Sequence, residues 1–277
     1  MKVLAVVLVA ASLGAAFPAN AGPPKKSSPA RVTPEKVPAY AVGPLEPASD
    51  SLPSHYLGHD CRSFAKKIAS LSAEKGEFET TAAYNERVAA MSNRAVVGET
   101  TLADTVGFVP ASDAVSMLTD KYDADRGTLN VSTYWGGGMQ MVGTDIVTST
   151  KLTYRPKAHR SYQASNAYGK TVTVESTTYD TCGLAFSNVK YGSYVSSRIS
   201  EEIIMSPEEA RAAKGNIAIM YVGNLTSPFR VEFSDYLKPA IDSPREAAWG
   251  GDALVMNLSQ IWLFNKETGK VYKKISM

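Results

Sequence analysis

The stretch Ala253-Leu-Val-Met-Asn-Leu-Ser-Gln-Ile-Trp-Leu-Phe264 runs directly into Asn265-Lys-Glu-Thr-Gly269 and then into Lys270-Val-Tyr-Lys-Lys-Ile275. Two apolar and aromatic segments joined by a short polar turn that ends in glycine are typical of a β-hairpin. The end of the chain therefore predicts a pair of antiparallel strands, and we expect the residues before it to fold in the same way.

The β pattern extends back to about residue 95. Residues 128–135 alternate between apolar and polar side chains, which predicts a strand with one buried face. Further candidate strands cover residues 117–122, 145–154, 170–178, 184–189, 193–205, 216–222 and 229–236.

Two helix-start signals interrupt this pattern. Ser206-Pro-Glu-Glu supplies an N-cap, a proline in the first turn and acidic residues behind it, and Gly215 stands where the helix should stop. These features predict one short inserted helix. Ser243-Pro-Arg-Glu repeats the start signal, but two glycines follow closely, so it predicts only a turn or two.

Residues 54–94 show a helical period instead. Phe64, Ile68 and Leu71 recur at i, i+4 and i+7, and Thr80 stands as an N-cap before a second apolar stripe. We therefore expect an α+β, β-dominant fold. It consists of a mainly antiparallel sheet or sandwich over residues 95–277, packed with an N-terminal helical pair over residues 54–94 and carrying the one inserted short helix.

The N-terminal part has the pattern of an exported protein. Lys2, an apolar run from Val3 to Ala16 and small residues around Asn20 predict a signal peptide over residues 1–21, cleaved after Ala21. Residues 22–53 contain eight prolines and few large apolar side chains, which predicts a disordered tail. The expected location is secreted or periplasmic.

Charge and hydropathy exclude two classes of partner. The chain has 29 basic and 27 acidic side chains, so we expect no nucleic-acid binding, which needs a strongly basic surface. No segment after the predicted signal approaches 18 consecutive apolar residues, so we expect no transmembrane span.

Cys61 and Cys182 are the only cysteines. An even pair in an exported chain predicts one disulfide bond. The alternative is two free thiols, one of them a nucleophile, but no histidine flanks Cys182 to lower the pKa of its thiol.

The segment Ser54-His-Tyr-Leu-Gly-His-Asp-Cys61 raises the question of a metal site. Histidines four residues apart face the same side of a helix and could there hold zinc, which makes His55 and His59 the candidate ligands. Gly58 between them argues against that helix. The main interpretation is a helix entry in which Asp60 is the N-cap, with neither a metal nor a cofactor.

Two further patterns suggest a ligand surface. Tyr134-Trp-Gly-Gly-Gly-Met-Gln-Met141 forms a run that could admit a ligand close to the backbone, although the pattern favours a strand that ends in a flexible turn. Tyr162, Tyr168, Tyr179 and Tyr191 could present aromatic faces to a sugar or a peptide, although tyrosine is also a favoured strand residue.

The sequence contains no nucleophile elbow, no Ser-x-x-Lys followed by Lys-Thr-Gly, and no His-Glu-x-x-His. We therefore expect a non-catalytic binding or structural module of the cell envelope, whose partner is a protein or a cell-wall polymer. The alternatives are a periplasmic hydrolase whose site assembles only in the fold, and metal binding through His55 and His59.

Phe78-Glu-Thr-Thr-Ala-Ala-Tyr-Asn-Glu-Arg87 resembles an F-E-T-x-x-x-Y-x-x-R helix start of secreted bacterial proteins of unknown function. Asn166-Ala-Tyr-Gly169 and Ile261-Trp-Leu-Phe264 are similar to other segments of such proteins. The resemblance implies a location and a fold type but no reaction. Within the motif, Phe78 is expected to pack back over the first helical turn as a hydrophobic staple.

Overall fold

The computed structural model describes residues 39–71, 75–192 and 197–277. They all belong to one compact unit, Val37–Met277. The predicted signal peptide and residues 22–38 of the predicted tail lie outside the described residues.

Strands dominate the described part of the chain, and most of them pair in antiparallel fashion, which confirms the β-rich class. Its helices are α1 (Cys61–Ala69), α2 (Thr81–Ser92) and α3 (Pro207–Ala213). None of the described helices is long and apolar enough to cross a membrane. The strands are β1 (Ala95–Val97), β2 (Thr100–Thr101), β3 (Thr105–Phe108), β4 (Ser116–Asp123), β5 (Thr128–Tyr134), β6 (Gly138–Val142), β7 (Asp145–Ser165), β8 (Thr171–Lys190), β9 (Arg198–Ile204), β10 (Ile217–Leu237), β11 (Arg245–Asn265) and β12 (Val271–Ser276).

Strand β11 organises the largest sheet, whose order is β3-β10-β11-β8-β7-β6. One edge of β11 pairs with β10 along nearly its whole length. The other edge pairs first with β8, in parallel, and then with β12 in the hairpin that the sequence predicted. Strands β4, β5 and β9 form a second sheet, and β1 and β2 form a two-stranded ribbon.

The four longest strands are longer than their sequence patterns suggested. Predicted segments 170–178 and 184–189 are parts of the single strand β8, and segments 216–222 and 229–236 are parts of β10. Gly183 and Pro228 lie between the predicted segments, and these residue types usually interrupt a strand. Gly183 is instead a packing requirement, because a Cβ there would lie 2.5 Å from the Thr150 carbonyl oxygen and 2.8 Å from the Phe233 ring.

The second helix-start signal forms no helix. Arg245, inside the Ser243-Pro-Arg-Glu motif, is already the first residue of β11. Its pairing with Glu175 of β8 commits the backbone to an extended conformation, and this tertiary contact overrides the local signal.

Helix α1 begins as predicted, with the Asp60 carboxylate accepting a hydrogen bond from the Arg62 backbone amide. Phe64 and Ile68 are buried in the main core. In α2, the Thr80 side chain accepts from Ala83 as the predicted N-cap, but only Met91 is buried. The packing of α1 and α2 against each other as a pair stays a prediction.

The staple expected at Phe78 is wrong, because its side chain is 95% exposed. Thr80 caps the helix, so Phe78 lies one position too early to cover the first turn. Glu79 fixes the helix entry instead: its carboxylate takes two hydrogen bonds from Arg87, at 2.7 and 2.8 Å. The Arg87 guanidinium also lies 5.5 Å from the ring centre of Tyr84. Through these contacts of Arg87 with Glu79 and Tyr84, the motif holds the start of α2 against its following turns.

Residues 39–53, assigned from sequence to the tail, belong to the folded unit. Leu45 and Leu52 are buried in a small cluster with Trp262 and Phe264 of β11. Backbone hydrogen bonds join Leu45 to Thr105 and Leu52 to Gly269. Prolines gave this segment the composition of a tail, but its two leucines bind it to the sheet.

His59 fastens this segment to the domain. The buried ring lies between Phe64 and Phe108, and its Nε2 donates to the Gly43 carbonyl at 3.0 Å. Nδ1 lies 3.0 Å from the Gly107 carbonyl oxygen and 3.1 Å from the Gly107 backbone amide. Burial lowers the pKa of His59 below its usual value, against the opposing effect of its two carbonyl contacts.

The disulfide between Cys61 and Cys182 joins the start of α1 to β8. Both cysteines are buried in the main hydrophobic core. Because they are 121 residues apart in sequence, the bond closes a long loop and restricts the unfolded chain strongly.

Replacing both cysteines by alanine should lower the free energy of unfolding by about 2 to 5 kcal/mol, because the unfolded chain regains the entropy of that loop. Urea unfolding of the two proteins measures this difference. The bond itself is checked by alkylating the exported chain without reductant and weighing it. Two labelled sulfurs would contradict the assignment.

The stability of the fold should fall as the pH drops below about 6.5. The pKa of His59 is lower in the folded state, so the unfolded chain takes up the proton first and unfolding is favoured. Above the unfolded pKa both states are neutral and this contribution is complete. In urea unfolding between about pH 5 and 7, His59→Gln should be less stable than the wild type by about 1 to 3 kcal/mol at pH 7, and less dependent on pH.

His159→Gln is the matched control, since His159 is an exposed histidine on β7. An unchanged pH dependence in His59→Gln would show that another group titrates.

Candidate functional site

The main sheet curls so that β6, at one end of the strand order, meets β10, near the other end. The side chain of Gln140 in β6 donates to the Glu232 carbonyl of β10 at 2.6 Å and accepts from the Ser234 amide at 3.3 Å. A small apolar cluster that includes Val147 and Phe233 lies within this curl. Beside it is a pocket of about 450 Å³, here called the Lys151 pocket, with a volume in the usual range for small-ligand sites.

Three consecutive glycines form one side of the Lys151 pocket. A Cβ at Gly136 would lie 2.7 Å from the Thr148 methyl carbon, and one at Gly138 would lie 2.5 Å from the Ser149 hydroxyl. Packing therefore requires glycine at both flanking positions. Gly137 differs, because a Cβ there would meet no atom within 4 Å. The middle glycine leaves open space where a side chain would otherwise stand.

An ion pair lies opposite the glycines. The Lys151 ammonium of β7 is 2.5 Å from the Asp235 carboxylate of β10 and 3.9 Å from the centre of the Trp249 ring. The lysine and aspartate side chains are 24% and 33% exposed, so both reach solvent. Lys151 is thus held by a charge on one side and an aromatic face on another, which fixes a long side chain at little further entropy cost.

The Trp249 ring continues into an aromatic row. Trp249 stacks on Tyr179 with ring centres 5.5 Å apart, and Tyr179 meets Tyr154 edge to face at 5.2 Å. Burial raises the pKa of Tyr154, whose hydroxyl donates to the Asp113 carbonyl at 3.1 Å. These offset and edge-to-face contacts are the favoured geometries for aromatic pairs and make this side of the sheet rigid.

Only Tyr179 of the four tyrosines predicted as a ligand surface lies in this row. Tyr162 pairs in register with Val174 of β8, five residues before Tyr179, so the two tyrosines point to opposite faces. Tyr168 is 95% exposed in the turn between β7 and β8, and Tyr191 follows the end of β8. The structure does not bring the four together.

The face that holds Tyr162 carries a separate polar group around Glu246. Hydrogen bonds from Ser176 and from the Tyr236 hydroxyl lower the pKa of Glu246, and the same contact with Glu246 raises the pKa of Tyr236. The Glu246 side chain is only 12% exposed. This group therefore stabilises the projecting part of the sheet and offers little surface to a ligand.

The Ser149 hydroxyl is a buried polar group without a hydrogen-bond partner among the described residues. Ser149 lines the Lys151 pocket and is 1% exposed. Most buried polar atoms in proteins are hydrogen-bonded, and a hydroxyl left unpaired costs about 1 to 3 kcal/mol. The hydroxyl lies beneath Gly138, where a Cβ would be 2.5 Å from it, so it is covered by the backbone and does not face the open space of the pocket.

The histidines predicted as metal ligands have other surroundings. Both ring nitrogens of His59 contact backbone groups, and His55 has a positive φ of 56° in a turn before α1. Among the residues that the structure describes, no three histidine, cysteine, aspartate or glutamate side chains gather at one point.

The chemistry available in the described lining of the pocket is therefore recognition by one fixed cation, one carboxylate and aromatic walls. Asp235 is the only carboxylate among the described lining residues. Sequence analysis drew attention to the glycines but missed Lys151, Asp235 and Trp249. Lys151 lies on β7, far in sequence from Asp235 and Trp249 on the consecutive strands β10 and β11, and none of the three belongs to a local motif.

Comparisons of the chain with protein-family models, with curated proteins and with solved structures found no match. Its fold and its pocket are therefore interpreted from their own geometry.

Proposed function

We propose that the protein is a non-catalytic binding module of the cell envelope, which holds cell-wall polymer in the Lys151 pocket. The observation that carries this proposal is the Lys151–Asp235 pair, fixed against Trp249 at the wall of an open, aromatic pocket. A few fixed polar groups among aromatic and apolar walls are the usual composition of a recognition site.

The proposed location is secreted or periplasmic. It is supported by the signal-like N-terminus and by a disulfide, since disulfides persist mainly in oxidising compartments. The resemblance of residues 78–87 to secreted bacterial proteins points the same way. The residues that carry the disulfide belong to the folded unit, which suits a domain that works after export.

A hydrolase is the less supported alternative. Hydrolysis of a glycan usually uses two carboxylates, one as acid and one as base or nucleophile. The described lining of the pocket offers Asp235 alone, and that carboxylate is already paired with Lys151. Holding a ligand needs only the groups that are present.

Filling the pocket should abolish binding without unfolding the protein. The signal-free chain should sediment with insoluble peptidoglycan, and Gly137→Leu should reduce the sedimented fraction at least about tenfold, because the new side chain takes space that the ligand needs. Gly250→Leu is the matched control: a Cβ at this exposed glycine also meets no atom within 4 Å, and Gly250 lies outside the pocket.

Two results would contradict the proposal. One is sedimentation that is absent in the wild type or equal in Gly137→Leu. The other is release of soluble fragments from peptidoglycan by the wild type above a heat-inactivated sample, which would favour the hydrolase.

A further inference from the structure

We propose that the Lys151 pocket recognises a neutral saccharide unit rather than a charged group of the polymer. This inference rests on the proposed function and adds the chemical class of the ligand. It draws on the charge balance of the pocket, on the donors and acceptors that its ion pair leaves open, and on the aromatic walls.

The pocket presents no net charge to a ligand. Lys151 and Asp235 neutralise each other at 2.5 Å. A charged ligand group would have to replace one member of this pair and leave the other without its partner. An unpaired charge in a partly buried site is unfavourable, so the pair acts against both anions and cations.

A hydroxyl group can join the pair without breaking it. An ammonium group has three donors, and Lys151 directs one to Asp235 and lies over the Trp249 ring. A ligand hydroxyl can accept a hydrogen bond from another N–H of the Lys151 ammonium and donate a hydrogen bond to a carboxylate oxygen of Asp235. Adjacent hydroxyls of a sugar ring supply such acceptors and donors together, and hydrogen bonds to charged groups are stronger than those between neutral groups.

The other walls of the pocket suit a sugar ring, which has polar edges. Tyr134 and Phe233 are the aromatic side chains of the pocket, and Gly137 leaves the space beside them open. The Lys151 ammonium and the Asp235 carboxylate lie beside these apolar groups and supply the polar contacts. Such a site combines apolar contact with several polar contacts, as a saccharide requires.

Calorimetric titration with short saccharide trimers that differ in charge tests the chemical class of the ligand directly. The neutral probes are N-acetylated chitotriose and cellotriose, the cationic probe is the glucosamine trimer, and the anionic probe is the galacturonate trimer. At least one neutral trimer should bind at least about tenfold more tightly than either charged trimer, because only charged ligands disrupt the ion pair. Its affinity should change less than about twofold between low and high salt, since screening acts on charges.

Isosteric variants identify the groups that bind. Asp235→Asn and Lys151→Met should each weaken the neutral trimer at least about tenfold, because each removes a charged hydrogen-bond partner. Both variants should keep the wild-type fold, which their far-UV circular dichroism spectra check. Lys157→Met is the control, an exposed lysine on the same strand that lies outside this pocket.

The result that overturns the inference is tighter binding of a charged trimer, or binding of no neutral trimer. The two proposals fail separately. If Gly137→Leu abolishes sedimentation with peptidoglycan while neither neutral trimer binds or competes, the saccharide assignment is wrong and the binding function stands. If a neutral trimer binds but peptidoglycan does not sediment the protein, the proposed cell-wall function is wrong.

Discussion

The continuous pairing of β11 is the constraint on which the rest of the structure depends. Its 21 residues face β10 along one edge, and β8 followed by β12 along the other. Each neighbouring strand is fixed in register by this one segment, because a shift of one residue would turn every buried side chain to the opposite face. The same strand contributes Trp262 and Phe264 to the cluster that holds the N-terminal segment.

The candidate site is a direct product of these registers. Asp235 is the partner of Trp249 in the ladder between β10 and β11, and Trp249 is the partner of Tyr179 in the ladder between β11 and β8. Lys151 reaches this row from β7, where it pairs with Gly183. The absence of a side chain at Gly183 lets Phe233 approach the sheet closely. A charged pair, an indole and a phenol thus lie in one row because the registers of three ladders agree.

Local patterns were enough to predict the terminal hairpin, the N-caps at Asp60 and Thr80, the inserted helix and the disulfide partners. Local patterns did not predict the contacts between segments that are distant in the sequence. The parallel pairing of β8 with β11 has no local signal, and the strand that begins at Arg245 forms against a helix-start motif. Lys151 and Asp235 are 84 residues apart in sequence, so no spacing rule could have joined them. The assignment of residues 39–53 to the disordered tail was wrong. Their proline content is typical of a tail, but composition does not show that two leucines of the segment are buried against the sheet.

The closure of the curled sheet by Gln140 has a mechanical consequence. At that point a single amide side chain, rather than a ladder of backbone pairs, links β6 to β10. Two neutral hydrogen bonds contribute about 1 kcal/mol each, and Val142 of β6 adds apolar packing against the cluster that contains Phe233 of β10. The two ends of the sheet order are therefore joined here by side chains alone, without the cooperativity of a backbone ladder.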